Sequence, residues 1–373
     1  MKIAHLIDAQ GGGALTHIFT LCRNLSHNKA EMEVIFFIPG PGQKIAAQLD
    51  ITSHLIKKKF SLDLVLAVKL AQFLKKNKFN LIHTHTINSN FYGRLAGFIA
   101  RIPVVTTVHS YMIDELSGLE TNTRMALLMF RVDMLMSKMT KRFIAVSDGI
   151  KRRILEQGVS PSKIDIIKHG IDLPPGKTGS GNLTLKKKLR LKENDMTVAI
   201  VGRLVPVKNH QMFLMAAKIV LREIQDLKFV IIGDGILKKK LQLFCAELGI
   251  ADKVIFAGWR NDMDAIYKLI DILVLCSTTE SQGLVLLEAM AHKQAVIATD
   301  IDEISKTVIH EQTGLLVPSG DEMALAESII RLLEKPNFRK CLSESGYEMV
   351  KQNFSVQKMI NKIVDCYGLV LQT

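Results

Sequence analysis

Cys276–Ala291 reads CSTTESQGLVLLEAMA and places Glu280 and Glu288 with seven residues between them. The apolar run Asp271–Leu275 (DILVL) before it has the length of a buried strand, and Leu284–Met290 after it has the residue types of a helix. Ser277–Gly283 is then a strand-to-helix loop. Gly283 lets backbone approach a ligand closely, and the N–H groups of the first helical turn favour an anion such as a phosphate. On one continuous helix the two carboxylates would stand about 12 Å apart along the axis, at roughly 1.5 Å per residue. That exceeds the ~5 to 9.5 Å of a glycoside-hydrolysing pair. The spacing suits two hydroxyl-binding carboxylates around a phosphate site; the plainer alternative is a solvated loop glutamate and a lysine-paired helix glutamate.

Working outward, short apolar runs alternate with helical patterns on both sides. Ile3–Ile7 predicts a strand, Gln10–Gly13 a glycine loop, and Ala14–Leu25 a helix with its apolar face at Leu15, Ile18, Phe19, Cys22 and Leu25. Strand patterns recur at Val34–Ile38, Leu81–Thr84, Val104–Val108, Phe143–Val146 and Ile164–Ile167, with helical stretches such as Leu62–Lys76 between them. Such alternation predicts an α/β fold, a doubly wound parallel sheet with helices on both faces. Leu173–Asn182 (LPPGKTGSGN) is the densest Pro/Gly/Ser stretch and marks a domain boundary. A second series follows at Thr197–Val201, Phe229–Ile232, Val254–Phe256, Ile272–Leu275 and Ala295–Ala298, and the tail over Glu322–Leu333 and Phe338–Leu369 is helical in pattern. The expected domains are 1–172 and 183–355.

The 373 residues, 48% hydrophobic, are enough for two cored domains, and the net charge of +13 points to an anionic partner. With 6% aromatics and no zinc-finger, RNP-type or long basic-tail pattern, nucleic acid is not the expected one. Nucleotide-sugar phosphates and an anionic membrane surface explain the charge. The five cysteines are scattered, with no Cys-x-x-Cys, as in a reducing compartment. Met1-Lys2 leads straight into a strand pattern and no apolar run approaches ~20 residues. A cytoplasmic protein, at most peripheral on the inner face of the cell membrane, is expected.

Gly202-Arg203-Leu-Val-Pro-Val-Lys208-Asn209 is the second strong signal. A strand ends in Gly-Arg, a proline turn follows, and Lys208 arrives at the next helix. A diphosphate leaving group gains charge as it departs, which a forked arginine and a point-charge lysine can take up. Combined with Glu280 and Glu288, this pattern resembles the retaining GT-B glycosyltransferases of glycosyltransferase family 4 (glycosyl transferases group 1). The matching motifs run in order along almost the whole chain: Gly12-Gly13 with His17, His109, Ser147-Asp148-Gly149, Arg203 with Lys208, and Glu280 with Glu288.

The resemblance implies two Rossmann-like domains facing a cleft, the acceptor on the first and the donor on the second, with a last helix at about 356–373 packing back on the first. It implies catalytic roles for Glu280, Arg203, Lys208 and His109: Arg203 and Lys208 on the diphosphate, Glu280 on hexose hydroxyls, and His109 beside the reacting carbon. Donor contacts are implied for Gly13, His17, Gly202, Gly233, Trp259, Arg260, Gln282, Gly283, Leu284 and Glu288, the last on the ribose hydroxyls. The implied reaction is a same-face, metal-independent and cofactor-free transfer of a hexose from a nucleotide diphosphate sugar, with a UDP-linked donor expected, to a hydroxyl acceptor, lipid-linked or soluble, in cell-surface polysaccharide or glycolipid synthesis. A nucleotide-sugar epimerase or phosphorylase on the same fold, and a non-catalytic basic membrane-surface protein, are the alternatives.

Other patterns read as follows. The third glycine of a dinucleotide fingerprint starting at Gly11 is missing, since position 16 is Thr. His83 and His85 share a strand face and could both ligate zinc, but neither has a cysteine or carboxylate beside it in the sequence, and no metal is expected. Asp262-Met-Asp264 is expected to cap the helix that follows rather than hold an ion. Gly176-Lys177-Thr178 lacks the spacing of a P-loop. His169-Gly170-Ile171-Asp172 has His where the family has Asn. Thr123–Arg142 mixes Met, Leu and Phe with Arg and Lys, as core helices and membrane-surface helices both do; basic clusters at Lys57–Lys59, Lys75–Lys78 and Lys151–Arg153 fall in the same half.

Overall fold

The computed structural model describes residues 1–25, 30–59, 63–110, 131–174 and 183–372. The chain divides into two compact units, one built from the residues up to Gly170 together with those from Val356 onward, the other from Ile171–Ser355.

Among its described residues the first unit holds seven strands, β1 (Lys2–Ile7), β2 (Glu31–Phe36), β3 (Ser53–Leu55), β4 (Leu81–Thr84), β5 (Val104–Val108), β6 (Arg142–Ala145) and β7 (Ile164–Ile166). They form one parallel sheet in the order β3-β2-β1-β4-β5-β6-β7. Because successive side chains point to opposite faces, adjacent residues serve two cores. Ile3, Leu81, Val105 and Ile144 pack with Leu21 of the helix Gly13–Asn24 and with Met359, Ile360, Ile363 and Val370 of the helix Val356–Gln372. Ala4, Leu6, Ile35 and Ile82 pack on the other side with Leu66, Leu70 and Leu74 of the helix Leu64–Lys76. Each such aliphatic side chain contributes about 1.5–3 kcal/mol on burial, which is what holds the distant C-terminal helix on this sheet.

The second unit repeats the plan with β8 (Met196–Val201), β9 (Leu227–Ile232), β10 (Val254–Gly258), β11 (Ile272–Leu275), β12 (Ala295–Thr299) and β13 (Leu315–Val317), parallel in the order β10-β9-β8-β11-β12-β13. Its central strands, such as β11 and β12, are buried on both faces, which is why they read as unbroken apolar runs. In both sheets the order turns back beside the first strand, between β1 and β4 and between β8 and β11. Open α/β sheets bind ligands at the C-terminal ends of strands at such switch points.

Several boundaries differ from expectation. β3 and β13, three-residue strands at the sheet edges, have no sequence counterpart above. β2 lies earlier than Val34–Ile38 because Glu31 and Met32 pair with Lys2 and Ile3. The helix over residues 62–76 starts at Leu64, where Asp63 accepts from the Leu66 N–H at 3.2 Å. On the first helix Leu21, absent from the expected apolar face, is fully buried. The tail beyond Phe338 is two helices, Pro336–Asn353 and Val356–Gln372, parted at Phe354 and Ser355 where the chain passes from one unit to the other. The first unit ends at Gly170, ahead of the Pro/Gly/Ser stretch, most of which lies outside the described residues, as do Gly176–Thr178 and residues 123–130 of the Met-rich segment. No helix among the described residues is long and apolar enough to cross a membrane.

Candidate active site

The switch point of the second sheet brings the two strongest sequence motifs into contact. After β8, the Gly202 N–H donates to the Ile232 carbonyl at 2.9 Å and the Leu204 N–H to the Asp234 carbonyl at 3.0 Å, which ties this loop to the end of β9. The fit is backbone on backbone: a Cβ at Gly233, which has φ +139°, would stand 1.9 Å from the Gly202 carbonyl oxygen. Only glycine fits there. The turn then tightens into a 3-10 segment, Pro206–Lys208, and Asn209, at φ 46°, caps the helix His210–Glu223 through the Met212 N–H.

From the neighbouring strand, the loop after β11 comes to meet it. The Thr278 N–H donates to the Val207 carbonyl at 2.9 Å, and Lys208 Nζ pairs with Glu280 Oε2. Ser277 Oγ donates to the same carboxylate oxygen at 3.2 Å, and the Ser277 carbonyl accepts from Thr299 Oγ1 at 2.6 Å. Burial of His210 beside the Lys208 ammonium pushes its ring down to about 4. Arg203 is exposed at the lip of the β8 loop.

Gly283 begins the helix Leu284–Ala291 at φ +69°, and a Cβ there would meet Ile304 at 2.6 Å. Gln282 is buried and Leu284 half-buried on either side of it. No side chain caps this helix start, so the anion-favouring end is retained. One turn on, half-buried Glu288 accepts from the Tyr267 hydroxyl at 2.6 Å. Burial raises the Glu288 carboxyl to about 7, against the opposing pull of the Tyr267 bond. Tyr267 was not flagged by the sequence; it sits at the end of a short helix, Met263–Tyr267, where Asp262-Met-Asp264 is the only pattern read above.

At the end of β10, Gly258 accepts from the Gly233 N–H at 2.9 Å, and Trp259 is 44% exposed beside it. Arg260 forks onto Asp262, with Nε to Oδ1 at 2.8 Å, and holds that carboxyl below its usual range. This corrects the capping expectation. Asp262 occupies the N-cap position but makes no side-chain cap, because its carboxylate is taken by Arg260, while Asp264 pairs with His292 at 3.2 Å.

In the first unit, the loop before the first helix ends at Gly12, and Gly13 is the first helical residue. His17 lies one turn on, buried, and contacts His169 at 3.1 Å. His109, just past β5, is bonded to His85 at 2.9 Å and to His169 at 3.4 Å. Ser147 caps the helix Asp148–Glu156 through the Ile150 N–H at 3.3 Å. His83 and His85 are not a lone pair. His5 on β1 is in register with His83 on β4, and the ring nitrogens of His5, His83 and His85 lie within 4.8 Å of one another. Sequence reading missed His5, because its neighbour across the sheet is 78 residues away.

The two sheets and the β8–β11 site define a class of protein, and comparison with known proteins agrees with it. The family model "Glycosyltransferase Family 4" matches residues 11–174, and "Glycosyl transferases group 1" matches residues 182–349. The UDP-Gal:alpha-D-GlcNAc-diphosphoundecaprenol alpha-1,3-galactosyltransferase of Escherichia coli is 30% identical over 312 residues, 82% of this chain and 79% of that protein. The N-acetyl-alpha-D-glucosaminyl L-malate synthase of Bacillus anthracis is 27% identical over 317 residues, 83% of this chain and 80% of that protein. Among solved structures, Anabaena Alr3699/HepE in complex with UDP and glucose superposes with a TM-score of 0.86 at 22% identity, covering 99% of this chain and 100% of that one. Sucrose-phosphate synthase of Thermosynechococcus elongatus does so with a TM-score of 0.75 at 21% identity, covering 100% of this chain and 99% of that one. The chain belongs to glycosyltransferase family 4, with a GT-B fold, and is a glycosyltransferase.

Proposed function

We propose that this glycosyltransferase moves a hexose, with retention, from a UDP-hexose to a hydroxyl of a lipid-linked acceptor in cell-surface polysaccharide or glycolipid synthesis. The observation that carries the reading is the pairing of Lys208 with Glu280 across the β8–β11 switch point. It puts a cation for a diphosphate and a carboxylate for sugar hydroxyls in direct contact. The nucleotide and the lipid-linked hydroxyl follow the activity named for the Escherichia coli relative.

In this reading Arg203 and Lys208 take up the charge that grows on the departing diphosphate. The uncapped start of the helix Leu284–Ala291, with Gln282, Gly283 and Leu284, faces phosphate, and Gly202 and Gly233 let backbone approach it. Glu280 accepts hydrogen bonds from the hexose, Glu288 from the ribose, and Trp259 and Arg260 flank the base. The C1–O bond to the diphosphate breaks as the acceptor oxygen bonds to C1 on the same face, and the acceptor proton passes to the leaving phosphate oxygen. His109 stands on the acceptor side. Charge on Arg203 and Lys208 takes the place of a divalent ion, so transfer is metal-independent.

The protein is also peripheral to an anionic leaflet. Leu64, Val65 and Val68 are 56, 58 and 44% exposed at the start of a helix that is preceded by Lys57–Lys59 and ends in Lys75 and Lys76. Apolar side chains framed by lysines suit lipid headgroups.

The test is UDP release from UDP-galactose and other UDP-hexoses, with N-acetylglucosaminyl-diphosphoundecaprenol as the first acceptor and EDTA present. Acceptor-dependent UDP release and an α-linked product are expected. A β-linked product overturns retention, and activity restored only by magnesium or manganese overturns metal independence. UDP-sugar turnover without transfer to any acceptor favours an epimerase.

A further inference from the structure

Five imidazoles of the first unit stand in series. His5 Nδ1 and His85 Nε2 lie 2.9 Å apart, His85 Nδ1 and His109 Nε2 2.9 Å, His109 Nδ1 and His169 Nε2 3.4 Å, and His169 Nδ1 and His17 Nδ1 3.1 Å. The two end atoms, His5 Nε2 and His17 Nε2, are buried without a hydrogen-bond partner. Burial holds every ring below the ordinary histidine range, His5 at about 3 and His169 at about 4, so all are neutral at pH 7.

A neutral imidazole has one N–H and one lone pair. Four contacts in series then admit only two proton arrangements, and in each of them every N–H points the same way along the row. In the first, His17 carries Nδ1–H and the other four rings carry Nε2–H, which leaves a bare lone pair at His17 Nε2. In the second, four rings carry Nδ1–H and His17 ends in Nε2–H. The Nε2–H form is the intrinsically preferred tautomer of a neutral histidine side chain, and the first arrangement uses it on four rings where the second uses it on one. The first is therefore lower in energy. Its two ends also differ in place. His5 lies within β1, whereas His17 follows the glycine loop at the C-terminal end of that strand, on the edge where such sheets bind ligands.

A metal at His5, His83 and His85 is the competing use of these rings. It fits less well. His83 already spends Nδ1 on the Tyr367 hydroxyl at 2.6 Å and Nε2 on Thr107 Oγ1 at 2.7 Å, and His85 spends both nitrogens within the row. Among the described residues no carboxylate or thiolate joins the group to offset a buried double charge.

We propose that His5, His85, His109 and His169 form a directional row that holds an unprotonated Nε2 on His17, and that this atom accepts a hydrogen bond from a hydroxyl of the acceptor substrate. The proposal rests on the transfer reading above. His5, His85 and His169 are positioning residues that act through His17. Because the rings are held neutral, His17 orients the hydroxyl without removing its proton, which is left for the leaving phosphate.

Long-range 1H–15N spectra of 15N-histidine-labelled protein at pH 7.5, assigned with single-histidine variants, read each tautomer directly. Nδ1–H on His17 and Nε2–H on the other four are expected. His169→Leu removes the acceptor for the His17 Nδ1–H, so His17 reverts to the intrinsically preferred Nε2–H form. With N-acetylglucosaminyl-diphosphoundecaprenol as the probe, its KM then rises about 5-fold, the worth of one neutral hydrogen bond, while kcat changes little. Nε2–H on His17 in the unaltered protein overturns the proposal, even if His169→Leu does not fold. So does an unmoved His17 tautomer or an unmoved KM in that variant, or stoichiometric cobalt(II) uptake at His5 and His85. Failure of transfer with this lipid would count against the functional reading and leave the tautomer result standing.

Discussion

Lys208 and Glu280 pair with one another, which holds both in place at the β8–β11 switch point. Losing a preorganised charge at a leaving group typically costs on the order of 10²-fold in kcat. Arg203→Ala and Lys208→Ala are each expected to slow transfer by that amount or more, measured by steady-state kinetics; near-normal turnover in both would remove the diphosphate assignment. Glu288 makes a pH prediction. With its carboxyl raised to about 7 by burial, it gains its charge as pH rises through 7, whereas the diphosphate diester of a nucleotide sugar keeps a constant charge there. UDP-sugar affinity measured by calorimetry should therefore tighten from pH 6 to 8. In Tyr267→Phe the hydroxyl that holds the carboxyl down is gone, and the midpoint should move higher. An affinity flat across this range would separate Glu288 from the donor.

At the scale of elements, β8 and β9 are joined beyond their ends by the backbone contact at Gly233. A methyl group there has no flexible side chain to displace, only the Gly202 carbonyl and the start of the Arg203 loop. Gly233→Ala should lower the stability of the second unit by about 3 kcal/mol and weaken donor binding together with it. Urea unfolding followed by Trp259 fluorescence reports both the midpoint and the ligand effect. A stability unchanged from the parent protein would mean that the β8 and β9 loops can part without cost.

For the whole molecule, histidine burial is unevenly divided. His5, His17, His83, His85, His109 and His169 lie in the first unit with lowered pKa, and His210 in the second. A lowered histidine is neutral when folded and takes a proton when unfolded, so its stabilisation is complete above the ordinary value near 6.5 and is lost as pH falls below it. Each group contributes about 1.4 kcal/mol per pH unit, and six together about 8 kcal/mol at pH 5.5, comparable to the total stability of a domain. The first unit should therefore unfold between about pH 6 and 5, ahead of the second, as seen by hydrogen exchange. One joint transition below pH 4 would contradict this. The excess of basic residues gives a second expectation: binding to phosphatidylglycerol vesicles at low salt, weakening towards ~0.5 M salt and reduced when Lys57, Lys58 and Lys59 are changed to Gln. No binding even at low salt would favour a soluble acceptor.

Local sequence was enough to show two doubly wound α/β series and the two motifs that meet at the β8–β11 switch point. Strand runs buried on both faces are continuous and apolar, and Gly202–Asn209 and Cys276–Ala291 each carry their functional residues within one strand-loop-helix turn. The three-residue strands β3 and β13 escaped notice, whereas β7, equally short, was legible within Ile164–Ile167. What tertiary structure alone decided is which distant residues meet. Strand order sets β4 against β1 and β11 against β8, and no periodicity within a segment encodes a neighbour across the sheet. That order turns an apparent His83–His85 pair into part of a buried group with His5, lines up His85, His109, His169 and His17 from four separate segments, and sets Tyr267 on Glu288. Residue types and spacing singled out the loops after β8 and β11, and the arrangement of the strands determined the partners of the groups around them.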